Sequence, residues 1–539
     1  MINKLKINSS KKQEMKGNPF YLYFSYIILT LVAFYYLLIP IQDYLANGFI
    51  IADSVVYLRV AFNIINGQGS TYDLITITNG YHPLWMILHI PFMIGADNII
   101  DRLPIIRVLW IGTAVVSTII WAYYIRQLTK SYFAQAFMLL LMGIFGCFGW
   151  SLYVLYSGIE TPLVLFFLGL SLYLTEKFFQ KNHYDNKQIV ILALVIALTF
   201  LSRLDSIFVL IPLALIILFR ILKSSYLQAV FFILTGLMVT IPYLLWNKIN
   251  FGAFTPVSGI VKRFDSISLE RSMHYFDSFV LKMQGTGIPL EGLILFVGLI
   301  ALIFVFTFLR IHQKSSNLFN TFWILILGAF THYLYYFLYM SELNVSWHLY
   351  LQLLVVFIFL TLAMNEIACS KWIKKRSISP FLLLIAFMVT CYFVNKIYID
   401  KKTYRIPAVI TELEFGQWVK DNIHQKDIIV FYDGFFSALI ATKNIFIDSN
   451  GLTGDATLAA IAKQNRMSQY SSSYQYKDIA TLYNADYVVS WIDGHCELLD
   501  SSNYVYISEP IITNKETRLV AQKGLNYNSL GPKNGFKCF

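Results

Sequence analysis

The sequence predicts a mainly α polytopic membrane protein of about eleven transmembrane helices. Interfacial or re-entrant helices and a small C-terminal extracytoplasmic α/β domain complete the expected fold. Three observations predict it. The 539-residue chain is 57% hydrophobic and 14% charged, with a mean hydropathy of +0.59, whereas soluble domains average about 25% charged residues. Long apolar runs alternate with short segments whose Lys and Arg content rises and falls in turn. After Phe393 the chain becomes polar and takes on soluble α/β patterning.

Taken in order, the N-terminus carries Lys4, Lys6, Lys11, Lys12 and Lys16, followed by an uncharged run from Pro19 to Gln42. That run exceeds a signal-peptide core and lacks a small-x-small cleavage site, so it is expected to stay as an anchor. Further spans are expected at 104–126, 132–154, 161–177, 188–202, 206–220, 227–246, 289–310, 318–340, 349–369 and 379–396, after the first at 20–42. Arg126 and Lys130, Lys177, Lys181 and Lys187, Arg220 and Lys223, Arg310 and Lys314, and Lys371 to Arg376 then all fall on the side of the N-terminus, which the positive-inside bias makes cytoplasmic. Leu84 to Gly95 is too short to span and holds His89 and Pro91. It is expected to dip into the outer face, because a span there would invert every later loop. This divides the chain into a transmembrane catalytic domain, 1–396, and a soluble extracytoplasmic domain, 397–539.

In the latter, Ile406–Ile423, Ala456–Arg466 and Lys477–Tyr483 read as helices, and IIVFYD (428–433), NIFIDSN (444–450) and DYVVSW (486–491) as strands. Of five cysteines, Cys147, Cys369 and Cys391 lie in or near apolar runs and read as small buried hydrophobes. Cys496 and Cys538 lie in the polar region, where a disulfide is one alternative. The net charge of +11 does not gather into a patch and no nucleic-acid motif is present, so no nucleic acid is expected as a partner. HExxH, CxxC, P-loop and GxSxG motifs are absent where they could function, which leaves zinc hydrolysis and ATP-driven transport unsupported.

The topology segregates the unusual polar residues into the outer loops: Asp53, Tyr57, Arg59, His82, Glu160, Arg203, Asp205, Lys262, Arg263, Glu342 and His348. Charge converging on one membrane face points to a single site there. Asp53 and Tyr57 share one face of an amphipathic helix that Gly67 and Gly69 stop, while Arg59, Asn63 and Asn66 form a second polar stripe. Each residue has a plainer reading. Asp53 on an interfacial helix is merely solvated; Glu160 is ordinary dipole chemistry before a helix; Arg203 and Asp205 neutralise each other between two spans. His82 and His348 are packed among aromatics. The functional reading takes Asp53 as a general base and Glu160 as the second acid, with Tyr57, Arg59, His82, Arg203, Asp205, Lys262 and His348 binding substrate. Sugar transfer from a polyprenyl-phosphate donor suits one carboxylate with several cations. The phosphate is already a competent leaving group, and only the acceptor hydroxyl needs its proton removed.

The order of these motifs resembles the GT-C superfamily of polytopic glycosyltransferases. DSVVYLRVAFNIINGQGSTYD, GYHPLW, SGIET, LSRLDS and TPVSGIVK, with WVKDNIHQKDIIVFYDGFF and IDSNGLTGD in the tail, are similar to a bacterial group of GT-C-like membrane proteins. The resemblance implies a polyprenyl-phosphate-linked sugar donor, usually an inverting transfer, and a glycan, lipid or protein acceptor. It also implies a place in the bacterial cytoplasmic (inner) membrane among its lipids. Asp53 matches the first-loop acid of the family and Glu160 an outer-loop acid of other branches. Ser54 stands where some branches carry a second acid, so a divalent metal is possible but unsupported, and no other cofactor is implied. A lipid-linked saccharide flippase, an O-antigen ligase or polymerase, and a noncatalytic glycan-binding scaffold are the alternatives.

Overall fold

The structure, a computed structural model, describes residues 19–46, 49–145, 153–180, 185–267, 319–340, 346–368, 405–431, 435–467, 478–491, 504–506 and 517–522. Within these, the helices in chain order are α1 (Phe20–Leu38), α2 (Ile41–Ala46), α3 (Ala52–Ile65), α4 (Pro83–His89), α5 (Leu103–Thr129), α6 (Tyr132–Phe145), α7 (Tyr153–Tyr156), α8 (Thr161–Phe179), α9 (Asn186–Ser202), α10 (Ile207–Leu222), α11 (Tyr226–Phe251), α12 (Val257–Lys262), α13 (Phe319–Tyr339), α14 (Tyr350–Ala368), α15 (Arg405–Asn422), α16 (Phe435–Ile440) and α17 (Ala456–Met467). Strands are β1 (Ile428–Phe431), β2 (Ile445–Asp448), β3 (Tyr487–Trp491), β4 (Tyr504–Tyr506) and β5 (Thr517–Gln522).

Seven helices among the described residues are long and apolar enough to cross a membrane: Phe20–Leu38, Ile100–Thr129, Thr161–Phe179, Leu204–Leu222, Tyr226–Phe251, Thr321–Tyr339 and Trp347–Ala368. Each coincides with an expected span. The expected spans at 132–154 and 188–202 correspond to the shorter helices α6 and α9, and those at 289–310 and 379–396 lie outside the described residues, as do Glu342 and all five cysteines. The Leu84–Gly95 segment is α4 followed by a 3-10 turn, Ile90–Met93, too short to cross. Local chemistry ends α5 and α11 three and five residues past the expected spans, at Thr129 and Phe251. Lys130 adopts a left-handed φ of 54° and returns its N–H to Arg126 O; Gly252 does the same after α11 at φ 72°. Pro212 and Pro242 sit inside α10 and α11, as packed or lipid-embedded helices tolerate.

The C-terminal sheet has the order β2-β1-β3-β5-β4. β1 runs parallel to both β2 and β3, and β5 pairs antiparallel with β3 and β4. Side chains alternate faces along a strand. Ile429, Phe431 and Phe446 therefore join the core that runs through α3, α15 and α16, while Val430 and Ile447 face Leu458 of α17 and Ile479 and Ala480. One face of the sheet is thus continuous with the core of the membrane helices.

Candidate active site

Two loops are lashed together at the start of α3. Ser54 Oγ donates to Ser157 O at 2.7 Å, Tyr44 OH to Tyr156 O at 2.5 Å, and Trp85 Nε1 to Gly158 O at 2.8 Å. Gly158 has φ +89° and lies so close to Trp110 that a Cβ would fall 2.6 Å from the ring, so only glycine fits this crossing. These bonds bring Asp53, in the first turn of α3, beside the segment that carries Glu160 into α8.

Glu160 is the N-cap of α8 yet makes no capping hydrogen bond. The dipole reading still holds at this position, but the side chain's hydrogen bonds go elsewhere. Its Oε2 accepts from Tyr57 OH at 2.8 Å, and its Oε1 accepts from Arg203 Nη1 at 2.9 Å, with His82 Nε2 3.6 Å away. Arg203 ends α9 in an extended conformation (φ −162°, ψ 116°), which turns its side chain out of the helix register. Its Nε donates to both oxygens of Asp205, at 3.0 and 3.1 Å, and Nη1 also reaches Thr161 Oγ1 at 3.2 Å. Asp205 in turn accepts from His332 Nε2 at 3.2 Å, Tyr336 OH at 3.0 Å and Tyr350 OH at 3.2 Å. The Tyr350 ring lies 4.7 Å from the Arg203 guanidinium, and His348 packs against Tyr336 with centroids 5.1 Å apart. Arg203 and Asp205 do pair with each other, but within a buried chain that links α3, α8, α9, α13 and α14. A buried charge set of this kind persists only when each member is paired and hydrogen-bonded.

Burial raises the Tyr57 phenol well above its ordinary pKa, and the Glu160 carboxylate beside it adds to the rise, so Tyr57 remains a donor. Burial lowers the His82 imidazole; Glu160 and Asp205 oppose that shift, while the positive charges of Arg203 and Lys262 reinforce it. Lys262, at the end of α12, therefore lies within electrostatic reach of the network, as Asp53 does of Tyr57.

The structure thus gathers Tyr57, His82, Glu160, Arg203, Asp205 and His348, with Asp53 and Lys262 at the margin. It places Arg59 elsewhere. Two residues along a helix is a turn of about 200°, so Arg59 leaves the face of Tyr57. It is fully buried, donating to Tyr72 O at 2.6 Å, Ala438 O at 2.5 Å and Asn444 O at 2.6 Å between the Tyr72 and Phe446 rings. Asn63, one turn on, donates to Thr71 O at 2.8 Å. That stripe braces the loop after α3 against the segment around α16 and the start of β2. Sequence reasoning passed over His332, Tyr336, Tyr350 and Gln352, whose Nε2 lies 3.3 Å from His332 Nδ1. The available signal was a histidine inside an apolar span with a tyrosine one turn later. Among the described residues no group of three or more His, Cys, Asp or Glu could hold a metal ion.

No family model matches the chain, and no curated protein matches it. Solved structures do. ArnT from Cupriavidus metallidurans bound to undecaprenyl phosphate is similar over 96% of this chain and 100% of its own, at 10% identity and a TM-score of 0.56. Its apo state is similar over 95% of this chain and 99% of its own, at 11% identity and a TM-score of 0.53. The Archaeoglobus fulgidus oligosaccharyltransferase, in complex with Zn and sulfate, is similar over 86% of this chain and 68% of its own, at 14% identity and a TM-score of 0.52. The chain therefore shares its overall fold with ArnT and with this oligosaccharyltransferase.

Proposed function

We propose that this protein transfers a sugar from a polyprenyl-phosphate-linked donor to an acceptor hydroxyl at the extracytoplasmic face of the bacterial cytoplasmic membrane, with residues 397–539 as an extracytoplasmic α/β domain. The observation that carries the reading is the buried chain from Tyr57 through Glu160 and Arg203 to Asp205, beside the first turn of α3 with Asp53 and the end of α12 with Lys262. The reaction is a single displacement. Asp53 removes the proton of the acceptor hydroxyl as its oxygen bonds to the anomeric carbon. The bond from that carbon to the phosphate oxygen breaks, and its electron pair leaves with the polyprenyl phosphate. Attack opposite the leaving group inverts the anomeric centre.

The geometry supports a division of labour. Glu160 has both oxygens engaged, so it positions Tyr57, Arg203 and the start of α8 rather than moving a proton. Arg203 is shared between two carboxylates, and Lys262 meets the phosphate as a point charge, in a charge-assisted contact that strengthens as the phosphate departs. The lipid tail lies along the spans.

The test is release of polyprenyl phosphate from a panel of polyprenyl-phosphate sugars, with an extract of the native envelope as acceptor. Asp53→Asn should lower release by about 10²–10⁴-fold, with thermal stability kept. Equal release by both proteins would remove Asp53 from the reaction. No release from any donor, with acceptor and panel proven on a known transferase, would remove the reaction itself.

A further inference from the structure

Lys262 sits on a six-residue helix near the site, and six residues do not hold their own place. Everything that fixes α12 comes from elsewhere in the fold. At its start, Asn79 Oδ1 accepts from Val257 N at 2.9 Å, and Asn79 Nδ2 donates to Asn247 Oδ1 at 3.0 Å. Asn247 Nδ2 donates to Phe254 O at 3.0 Å, and both asparagines are fully buried. At its end, Phe264 N donates to Tyr339 O at 2.8 Å. These bonds fix the two ends of α12 but leave its depth undetermined.

Depth is set by the C-terminal unit. Val257 and Val261 pack on Ala459 and Ala462 of α17, and all four are buried. The alanines bring the two helices close, and the turn before α17 closes the arrangement. Asp448 accepts from Asn450 N at 2.9 Å, Leu452 N at 3.1 Å and Thr453 Oγ1 at 3.3 Å. Gly451 is left-handed at φ +68°, and a Cβ there would lie 2.5 Å from that of Ala462. Gly80, next to Asn79, meets Leu452 O so closely that a Cβ would fall 1.9 Å from it. Beyond α12, Lys463 of α17 pairs with the exposed Asp265.

We infer that α17 is the positioning element for Lys262: through Ala459 and Ala462 the C-terminal unit sets where the lysine stands, and so governs affinity for the lipid phosphate. This rests on the reading of Lys262 as the phosphate-holding cation. Widening the seat with Ala459→Leu pushes α12 off α17 and misplaces Lys262, while Asp53 and the Glu160–Arg203 pair, held by other elements, keep their places.

The experiment measures binding of undecaprenyl phosphate to the full-length protein in detergent. Lys262→Met should bind about tenfold more weakly, the equivalent of losing one charge-assisted contact. Ala459→Leu should weaken binding by a comparable factor, and Lys463→Ala about twofold. Ala459→Ser, which conserves volume, should bind as wild type. Because the leucine acts through the lysine, the double variant Lys262→Met, Ala459→Leu should bind no more weakly than Lys262→Met alone. A folded Ala459→Leu protein with wild-type binding overturns the inference, as does a double variant whose losses multiply. If Ala459→Leu fails to fold, unchanged binding by Lys463→Ala overturns it. Wild-type binding by Lys262→Met overturns the underlying reading of the lysine instead.

Discussion

Two of the arginines buried among the described residues, Arg59 at 0% and Arg203 at 2% exposure, are put to opposite uses. Arg59 spends its donors on backbone carbonyls from the first loop and from the segment around α16, flanked by two aromatic rings. Arg203 spends its donors on two carboxylates from different spans. The first arrangement satisfies carbonyls that would otherwise be buried unpaired, and any conformational change would break it. The second concentrates opposite charges in one buried cluster where several helices meet, the arrangement that the proposed site rests on. Burial alone therefore does not mark an active site; the chemical nature of the partner does.

The largest loss is expected at Arg203. Arg203→Met leaves Glu160 and Asp205 as buried carboxylates without their counter-charge, which should lower unfolding stability by about 3–5 kcal/mol and abolish transfer. Adding Glu160→Gln should return part of the stability and none of the activity. Thermal unfolding and polyprenyl phosphate release measure the two effects. Full recovery of stability in Arg203→Lys would show that charge suffices; the fork to Glu160 and Asp205 predicts only partial recovery.

Arg59→Met should behave differently. Its carbonyl partners lose donors in a buried place, a loss of about 2–3 kcal/mol. Activity per folded molecule should nevertheless stay within about threefold, because nothing in the Glu160–Arg203 chain depends on the guanidinium. The loosened contact should appear as faster proteolysis between the first loop and the sheet. A loss of activity as deep as that of Arg203→Met, with the fold intact, would erase the distinction.

Much of this was legible in the chain because the relevant signals are local. Apolar runs and alternating basic segments mark the helices, and the motifs DSVVY, GYHPLW, SGIET and LSRLDS carry residues that the structure brings together, as in Tyr57, His82, Glu160 and Arg203. The acids Asp53, Glu160 and Asp205 stood out since carboxylates are scarce in such loops. His332, Tyr336 and Tyr350 were hidden because a polar residue on an apolar helix shows its role only when the facing helix is known. Arg59 was placed on a second polar stripe, about 200° from Tyr57 on a helix, yet read as binding substrate, whereas its donors go to backbone carbonyls. The docking of the sheet on the first loop pairs residues almost four hundred positions apart, as in Arg59 to Ala438, and no local pattern encodes that. Strands β4 and β5 are short antiparallel additions that the alternation of β1–β3 did not announce.

The smallest predicted effect lies at the edge of the Arg203 network and depends on pH. His82 Nδ1 accepts from Leu204 N at 3.5 Å, which places the ring proton on Nε2, facing Glu160 Oε1 at 3.6 Å. Burial holds the imidazole below its ordinary value near 6.5 in the folded protein, with Arg203 and Lys262 also opposing a further positive charge. The unfolded chain therefore binds a proton at a higher pH than the folded one does. Stability from this residue is fully present above about pH 6.5 and declines as pH falls below it toward the folded value, by no more than about 1.4 kcal/mol per pH unit. A protonated His82 would also present Leu204 N with a donor in place of an acceptor, disturbing the junction that orients Arg203. Between pH 7 and pH 5 the wild type should lose stability more steeply than His82→Gln, and its transfer rate should fall in parallel. His424, exposed and far along the chain, serves as the control: His424→Gln should leave the wild-type slope in place. If His82→Gln keeps that slope as well, the neutral imidazole is not what couples the Arg203 network to pH.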